Sequence, residues 1–424
     1  MKLLITNGKV IDPSQGLEDY KDILIEGKKI KGIYPKGKGP KPATIIDVSD
    51  CLVIPGLVDM HTHLREPGYE YKETIKTGTL AAVRGGFTTV CCMPNTDPIN
   101  DTISVTQYII DRSAKEGSCT VYPIAAITIG QKSEALCELE ALIKAGCIAF
   151  SDDGRPVTNS LIMRRALEYS KIFDVPIIAH CEDLKLSEGR VVNEGFVSTI
   201  LGLRGIPKAA EEVMVARDIS LCELTKGRLH IAHVSTKGSV NLIRDAKKRG
   251  IQVTAETCPH YFSLTDDALI SYDTNLKVNP PIRTAEDVEA IKKGLQDGTI
   301  DVIATDHAPH HIDDKNKEFD AAAFGISGLE TALSLSLGLV DSGVLDLQQL
   351  ISKMTVAPSK IMGIKKGSLT EGADADVTIV NPVKKFKVDT SAFLSKGKNS
   401  PFHNWELKGC VEKTIAMGKI HDWT

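Results

Sequence analysis

The sequence predicts an α/β protein built on a (β/α)8 barrel of the TIM type, and three observations lead to that prediction. Eight short apolar runs recur along the chain, each ending in polar, Gly or Pro residues. Segments with the spacing of amphipathic helices separate most of these runs. Strands and helices that alternate in this way are typical of a parallel sheet closed into a barrel.

The eight runs are short enough to be buried strands, and they begin near residues 52, 87, 120, 147, 175, 229, 251 and 302. Between the sixth and seventh runs, the segment 239–250 places Val240, Ile243 and Ala246 on one helical face. Gly250 is a stop signal immediately before the next run. The alternation therefore holds at the level of individual residues.

The two ends of the chain differ from the middle. "KLLITNGKVID" and "DILIEGKKIKGI" near the start, and "DADVTIVNP" and "CVEKTIAMGKI" near the end, have the pattern of short strands with Gly-containing turns. We expect residues 1–54 and 367–424 to pair into one small composite β domain, a β-sandwich. Residues 55–366 would form the barrel, which would be the catalytic domain.

Composition excludes several classes of function. Lys and Arg number 51 against 55 Asp and Glu, a net charge of −4, so nucleic acid is not an expected partner. No stretch reaches the roughly 18 uncharged residues of a membrane span, and we expect a cytoplasmic protein without membrane association. Ten cysteines without a C-x-x-C pair indicate neither a disulfide framework nor a thiolate zinc site.

Polar residues at the carboxyl ends of the runs are the candidates for function, because a barrel carries its active site there. Side chains alternate along a strand, so His61 and His63 point the same way, whereas at most one of Asp152 and Asp153 faces inward. The metal-ligating residue types at these ends are His61, His63, Asp152, Asp153, His180, His233, Asp306, His307 and His310.

A lone histidine at a strand end is more often structural than a ligand, but this many ionisable groups at one mouth need a compensating cation. Imidazole and carboxylate donors without thiolate suit Zn²⁺ or a similar ion. Six ligands suit two ions that share a bridging carboxylate. Coordination lowers the pKa of water towards about 7, which supplies hydroxide, and a nearby carboxylate can carry the proton to the leaving group.

Several motifs together resemble the amidohydrolase superfamily, and specifically the bacterial class I dihydroorotases. The resemblance covers nearly the whole chain and rests on "PGLVDMHTHLREPG", "GGFTTVCCMPNTDP", "SDDG", "AHCED", "IAHVST", "AETCPHY", "VNPPIR", "DVIATDHAPH" and "KGSLTEGADADVTIVNP". It implies reversible hydrolysis of (S)-dihydroorotate to N-carbamoyl-L-aspartate in de novo pyrimidine (UMP) biosynthesis.

The resemblance also assigns roles to residues. It implies one or two Zn²⁺ per chain: His61, His63 and Asp306 hold one, His180 and His233 hold the second where there are two, and Asp153 then bridges them. Asp306 would be the catalytic proton shuttle for a zinc-bound hydroxide. The substrate-binding residues that it implies are His63, Arg65, Asn95, Asn279, His310, Phe324 and Gly325, with Arg65 and Asn95 on the substrate carboxylate.

The resemblance leaves alternatives open. Another cyclic amidohydrolase, of the hydantoinase, dihydropyrimidinase or allantoinase type, is disfavoured because Asp153 stands where many such relatives have a carboxylated lysine. A non-catalytic subunit that supports aspartate transcarbamoylase, or a scaffold protein on the same fold, is disfavoured by the complete ligand set. We expect a homodimer, with association to aspartate transcarbamoylase as a further possibility.

Nearby polar residues have structural interpretations. We expect Asp152 to support its loop and His230 to be structural, whereas His260 could reach the mouth or belong to a turn. The charged segment "HIDDKNKEFDAAAF", residues 311–324, is predicted to be a solvated loop that could close over the site.

Overall fold

A computed structural model of the chain describes residues 2–40, 42 and 44–423. Its strands are β1 Lys2–Thr6, β2 Lys9–Asp12, β3 Leu17–Glu26, β4 Lys29–Pro35, β5 Thr44–Asp47, β6 Leu52–Pro55, β7 Leu57–Thr62, β8 Phe87–Cys92, β9 Thr120–Pro123, β10 Phe150–Ser151, β11 Ile177–Ala179, β12 Val192–Asn193, β13 Gly205–Ile206, β14 Leu229–Ile231, β15 Val253–Thr257, β16 Val302–Ile303, β17 Val377–Lys387, β18 Glu406–Ala416 and β19 Lys419–Asp422.

The α-helices mostly lie between those strands. They are α1 Ile75–Arg84, α2 Ile103–Glu116, α3 Leu139–Ala145, α4 Ser160–Ser170, α5 Leu184–Ser187, α6 Phe196–Leu201, α7 Ala209–Thr225, α8 Lys237–Lys248, α9 Pro259–Ser263, α10 Ala285–Gln296, α11 Ile312–Lys315, α12 Ala332–Asp341, α13 Leu347–Met354 and α14 Val356–Met362. Within the described ranges, none is both apolar and long enough to span a membrane.

Eight parallel strands carry the C-terminal ends at which the candidate residues lie. β7, β8 and β9 pair in that order, and β10, β11, β14, β15 and β16 pair in a second set. A bridge from Ala125 to Phe150 joins the two sets at one end, and a bridge from Thr62 to His307 joins them at the other. The chain therefore has an α/β fold with a curled sheet, and its parallel strands meet around one centre.

Strands from both ends of the chain form a separate, mostly antiparallel sheet of nine strands in the described residues. Its order is β19-β18-β17-β6-β2-β3-β1-β5, and β4 pairs with β3. The strands predicted from the terminal motifs are all present. The prediction missed β5, a strand of four residues, TIID, whose side chains are mainly exposed.

The first predicted run, "LVIPGLVDMH", is not one strand, which corrects the sequence interpretation. Leu52–Pro55 pairs with β17 and β2 in the terminal sheet, whereas Leu57–Thr62 pairs with β8. The break falls at Gly56, where an added Cβ would lie 2.1 Å from Oγ1 of Thr88. Both halves are fully buried, so the change from one sheet to the other left no polar mark in the sequence.

Helix α8 illustrates how local sequence sets the elements around the site. It begins after Thr236, whose side chain accepts a hydrogen bond from the backbone N–H of Ser239, and its buried face includes Val240, Ile243 and Ala246 as predicted. It ends at Lys248, two residues before Gly250, which has a φ of +76°. The apolar face packs the helix so that the loop before it stays at the mouth.

Three apolar clusters stabilise the structure. The largest packs helices against the parallel strands, and a second joins residues 3–53 to residues 369–415 under the terminal sheet. A third is contributed mainly by the parallel strands and the residues beside them: Met60, Cys91, Met93, Ile124, Ala149, Ile178, Ala232, Val302 and Ala304. The side chains at the strand ends thus lie against a closely packed apolar layer.

Candidate metal centre and substrate cavity

His61 and His63 lie at the end of β7 and point to the same side, as their spacing predicts. Nε2 of His63 is 3.0 Å from Oδ1 of Asp306, and Nε2 of His61 is 3.4 Å from the same oxygen. Asp306 follows β16, and the neighbouring His307 bridges back to β7. Atoms of His61, His63 and Asp306 that could serve as ligands lie within 4.8 Å of one another, around a single point.

Asp153 occupies the centre of the cluster. Its Oδ1 lies 3.4 Å from Nε2 of both His61 and His233 and 3.6 Å from Nδ1 of His180. Its Oδ2 lies 3.4 Å from Nε2 of His63. One carboxylate thus contacts all four imidazoles, which is the placement that a bridging ligand requires.

Asp152 faces the other way and supports a loop, as expected. Its Oδ1 accepts hydrogen bonds from the backbone N–H groups of Ile127 and Thr128, and its Oδ2 accepts one from the Thr128 hydroxyl. These contacts occupy both oxygens. The two adjacent aspartates follow the end of β10 and point to different surroundings, which gives them different roles.

His180 and His233 form the second half of the cluster. Nδ1 of His180 lies 2.8 Å from Nε2 of His233, and both rings are buried. Two imidazole nitrogens at this distance either share a proton or direct their lone pairs at one cation. Because Asp153 Oδ1 lies beside both nitrogens, the pair offers a ready site for a divalent ion.

The residues present fit a metal centre by the chemistry of their donors. Nε2 of His61 and Oδ1 of Asp153 are buried and make no hydrogen bond within the described part of the chain. Such atoms are costly unless an ion satisfies them. The set contains only imidazole nitrogen and carboxylate oxygen, which suits Zn²⁺ and similar ions.

Electrostatics favour a cation at the same point. Burial lowers the pKa of His61, but the carboxylates of Asp153, Glu256 and Asp306 outweigh burial and raise it well above its usual value. For His180, the bonds to Asp153 and Glu182 likewise overcome the effect of burial and raise the pKa to about 10. Neutral imidazoles would leave the negative charge of these carboxylates uncompensated, so a cation is favoured at this point.

Three site residues have backbone in the left-handed region, which non-glycine residues rarely adopt. The φ angles are +62° at Arg65, +34° at His233 and +46° at Asp306. Each such conformation costs about 1–3 kcal/mol and persists only where the surroundings enforce it. Here the chain leaves a strand at each position, and the unusual φ turns the side chain into the mouth.

Glu256, which the sequence interpretation overlooked, holds His61 in place. It lies on β15, and its Oε1 is 2.5 Å from Nδ1 of His61, while Oε2 is 3.4 Å from Nε2 of His230. A carboxylate on Nδ1 keeps the proton there and leaves Nε2 free for a metal. His230 is a supporting residue, as predicted. The available signal was that "AET" ends the seventh run with a carboxylate.

Asn95 and Arg65 present hydrogen-bond donors beside the cluster. Nδ1 of His63 lies 2.9 Å from Oδ1 of Asn95, so the amide oxygen accepts and the amide N–H groups remain available. Nε of Arg65 donates to the carbonyl of Pro309 at 3.2 Å. This bond fixes the guanidinium. Its Nη2 also lies 3.3 Å from Nε2 of His310, so the other terminal N–H groups are those left for an anion.

His310 is neutral, and its ring contacts the backbone carbonyl of Phe324. Burial and the nearby Arg65 guanidinium lower its pKa far below the usual value. Its Nε2 is 2.8 Å from the carbonyl oxygen of Phe324, which can only accept, and 3.3 Å from Nη2 of Arg65, which can only donate; the shorter contact favours a proton on Nε2. In that tautomer Nδ1 is a buried acceptor, 3.6 Å from Oδ2 of Asp314 and without a hydrogen bond in the described residues. It is available to an N–H group of a ligand.

Glu182 is a second residue that the sequence interpretation overlooked. Its Oε2 accepts a hydrogen bond from Nδ2 of Asn279 at 2.9 Å and lies 3.0 Å from Nε2 of His180. The same carboxylate thus orients a candidate metal ligand and fixes the amide of Asn279. With Nδ2 engaged, the Asn279 oxygen remains as an acceptor.

A cavity of about 220 Å³ brings these groups together. His61 lies beneath it, fully buried, and His260 is not in its lining but packs against Tyr261. The lining residues are His63, Arg65, Asn95, Asp153, Gly154, His180, His233, Val278, Asn279, Asp306, Ala308, His310, Phe324 and Gly325. Every residue to which the sequence analysis gave a substrate-binding role therefore borders one space.

The fold is shared with solved structures of known enzymes. L-Hydantoinase (dihydropyrimidinase) from Arthrobacter aurescens matches with a TM-score of 0.89 at 24% sequence identity, over 100% of this chain and 97% of that one. A dihydropyrimidinase from Brevibacillus agri matches with a TM-score of 0.86 at 22% identity, over 99% and 95%. The chain therefore shares the fold of these two enzymes.

Relatives in sequence are more specific. Proteins named dihydroorotase from Geobacter metallireducens and Syntrophus aciditrophicus are 57% and 56% identical, each over 99% of both chains. One from Acetivibrio thermocellus is 55% identical over 99% of this chain and 98% of its own. The "Dihydro-orotase-like" family model matches residues 50–239. The chain therefore belongs to the dihydroorotase family of cyclic amidohydrolases, which confirms the resemblance in the motifs.

Proposed function

We propose that this protein catalyses the reversible hydrolysis of (S)-dihydroorotate to N-carbamoyl-L-aspartate, a step of de novo pyrimidine (UMP) biosynthesis. One observation carries the proposal: the anion-binding donors of Arg65 and Asn95 border the same small cavity as the His and Asp cluster. A cyclic amide with a carboxylate would place its anion on those donors and its scissile bond on the cluster. The names of the relatives agree with this substrate.

We assign one Zn²⁺ to His61, His63 and Asp306, and a second to His180 and His233, with Asp153 bridging. Donor atoms of His61, His63 and Asp306 lie within 4.8 Å of one another, as do those of His61, Asp153 and His233, and the orphaned His61 and Asp153 atoms agree with a metal there. The contact of His180 with His233 supports placing His180 in the second set. When bound, such ions polarise a carbonyl and make water nucleophilic at neutral pH. The second metal position is occupied when His180 and His233 bind an ion between them in place of a shared proton.

Asp306 is the proposed proton carrier. Its Oδ1 is within 3.4 Å of both His61 and His63. Burial raises the pKa of the Asp306 carboxyl, but its contacts with these two residues lower it overall. The group is therefore an ionised base at neutral pH. It can accept a proton from the attacking water and deliver it to the departing ring nitrogen.

The remaining lining residues orient the ring. The Arg65 guanidinium and the Asn95 N–H groups would hold the carboxylate, while the Asn279 oxygen and His310 Nδ1 would accept from ring N–H groups. Backbone at Phe324 and Gly325 would form the opposite side. Donors and acceptors on opposite sides suit a ring that carries an anion on one edge and N–H groups on another.

The finer architecture is also a proposal. The paired strands and the two bridges support a closed (β/α)8 barrel in residues 55–366. The separate apolar cluster that joins residues 3–53 to 369–415 supports a small composite domain of residues 1–54 and 367–424. A β-sandwich form for that domain stays a prediction.

Partners and location stay predictions. A homodimer, association with aspartate transcarbamoylase, the absence of nucleic acid and membrane partners, and a cytoplasmic location each need their own measurement. Size-exclusion chromatography with light scattering would give the oligomeric state.

Metal depletion tests the proposal. The purified protein should contain zinc or a similar ion, lose dihydroorotate turnover on chelation, and regain it when the ion is restored. Circular dichroism would serve as the control that depletion leaves the fold intact. Full activity in a metal-free preparation would overturn the assignment.

A further inference from the structure

Two buried lysines hold the loop 311–325 against the site. Lys277 and Lys315 are each only 2% exposed. Nζ of Lys277 donates to the loop carbonyls of Phe319 and Asp320, at 2.8 and 2.9 Å. In the opposite direction, Nζ of Lys315 donates to the carbonyls of Ala323 and of Lys277 itself, at 2.8 and 3.2 Å. The loop is therefore not simply solvated, which corrects the sequence interpretation.

The two ammonium groups are unusual in their partners. In the described residues, neither forms an ion pair with a carboxylate, and backbone carbonyls supply the hydrogen bonds instead. Burying a cation on these terms is expensive. Burial accordingly lowers the pKa of Lys277 to about 8 and that of Lys315 to about 7. Asp320 and Asp273 are the carboxylates that partly offset this for Lys277 and Lys315, respectively.

Residues 319–325, which the two lysines contact, include part of the wall of the small cavity. The backbone N–H of Gly325 donates to the carbonyl of Lys277 at 2.9 Å, which is the same oxygen that Lys315 contacts. Nζ of Lys277 lies 4.5 Å from the ring centre of Phe324, a cation–π distance. Both lysines therefore contribute to holding Phe324 and Gly325, together with His310 at the Phe324 carbonyl and Asn399 at the Gly325 carbonyl.

A second, larger cavity lies on the other side of this wall. It has a volume of about 860 Å³, and its lining includes Lys277, Asn279, Asp320 and Phe324. Asn279 and Phe324 also line the small cavity. The two cavities therefore adjoin at Phe324 and Asn279.

We infer that Lys277 and Lys315 are positioning residues that keep residues 319–325 closed against the substrate, so that the site has its small, ligand-sized form. The inference rests on the proposed function, because it takes Phe324 and Gly325 to be the wall against which the substrate binds. Loss of either lysine would loosen the wall. Substrate affinity would fall more than the rate of the chemical step.

Hydrogen exchange of the metal-loaded protein tests this directly. Lys315→Met and Lys277→Met remove the ammonium groups and retain apolar bulk. In each variant, amides of residues 319–325 should exchange about tenfold faster than in the wild type, while peptides with the metal ligands stay unchanged. The KM for dihydroorotate should rise about tenfold, with kcat within about threefold.

Lys353→Met is the matched control. Lys353 is also buried, and its Nζ donates to the carbonyl of Ile300 at 2.7 Å, but it lies on α13 and lines neither cavity. Its loss should leave both loop exchange and KM unchanged. A loop effect of equal size in this variant would overturn the inference, because general destabilisation would then explain it.

Unchanged exchange of residues 319–325 in Lys315→Met would also overturn the inference, whatever happens to activity. Should Lys277→Met fail to fold, Lys315→Met decides, since Lys315 belongs to the loop alone. Exchange needs no substrate, so it remains decisive if wild-type protein does not turn over dihydroorotate. Failure of the wild type to turn over dihydroorotate would count against the proposed function and not against the inferred role of Lys277 and Lys315.

Discussion

Replacing Arg65 with lysine keeps the positive charge at the proposed carboxylate site but removes the two-pronged geometry. Nε of Arg65 donates to Pro309, and this bond holds the terminal N–H groups in place. A lysine offers one mobile ammonium and cannot make that bond while reaching the substrate. One hydrogen bond to a charged group should be lost, worth about 1.5–3 kcal/mol.

At about 1.4 kcal/mol per factor of ten, this loss corresponds to a rise in the KM for dihydroorotate of about 10-fold to 150-fold. Steady-state kinetics would measure it, with the melting temperature as a check on the fold. Arg164→Lys is a suitable control, because Arg164 is exposed on α4 and pairs only with Glu168 in the described structure. A KM within about twofold of wild type would refute the assignment of Arg65.

Three further predictions concern other groups. Asp306→Asn should lower kcat by about 10²-fold or more while the circular dichroism spectrum is unchanged. Glu256→Gln should weaken metal binding about 10-fold to 100-fold in a chelator competition, because His61 loses its orienting carboxylate. Burial lowers the pKa of Lys353 to about 8, whereas an unfolded chain keeps the usual pKa of lysine. Above pH 8, the native state therefore binds fewer protons than the unfolded state. Wild-type stability should therefore gain about 2 kcal/mol relative to Lys353→Met between pH 8 and pH 10, measured by urea unfolding.

Each of these has a clear contrary result. Near-normal turnover by Asp306→Asn would exclude it as the proton carrier. Wild-type metal affinity in Glu256→Gln would mean that His61 is oriented without the carboxylate. If the free energies of unfolding of wild type and Lys353→Met changed in parallel with pH, burial would not be lowering the pKa of Lys353.

The sequence predicted the strands better than it predicted where one sheet gives way to another. Apolar runs mark burial, and residues 52–62 are buried throughout, although Leu52–Pro55 and Leu57–Thr62 belong to different sheets. The dipeptide Pro55-Gly56, a common turn signal, stands at the break, and Gly56 lies against Thr88 in the folded chain. The apolar run continues on both sides of it, so the pattern of burial alone did not divide the strand.

The histidines and aspartates of the site were predictable because strand alternation and barrel geometry are simple rules. Asp153 faces the cluster and Asp152 a loop, as alternation requires. Glu256 and Glu182 were missed because their roles depend on hydrogen bonds to His61 and His180, which only the folded chain brings near. Their mark in the sequence is a carboxylate at the end of an apolar run, in "AET" and "AHCED".

The loop 311–325 was misjudged for a related reason. Its charged residues are typical of solvated segments, and Lys315 sits among them as an ordinary surface lysine would. Its burial depends on Lys277, 38 positions earlier in the chain. A reciprocal contact of this kind follows from the tertiary structure and not from local composition.

A comparison of substrates tests the central claim most directly. Isolated, metal-analysed protein would be assayed with dihydroorotate, hydantoin, dihydrouracil and allantoin under the same conditions. Because Arg65 and Asn95 favour a carboxylate, kcat/KM for dihydroorotate should exceed that for each of the other three by about 100-fold or more. Equal or better turnover of an uncharged ring would contradict the account.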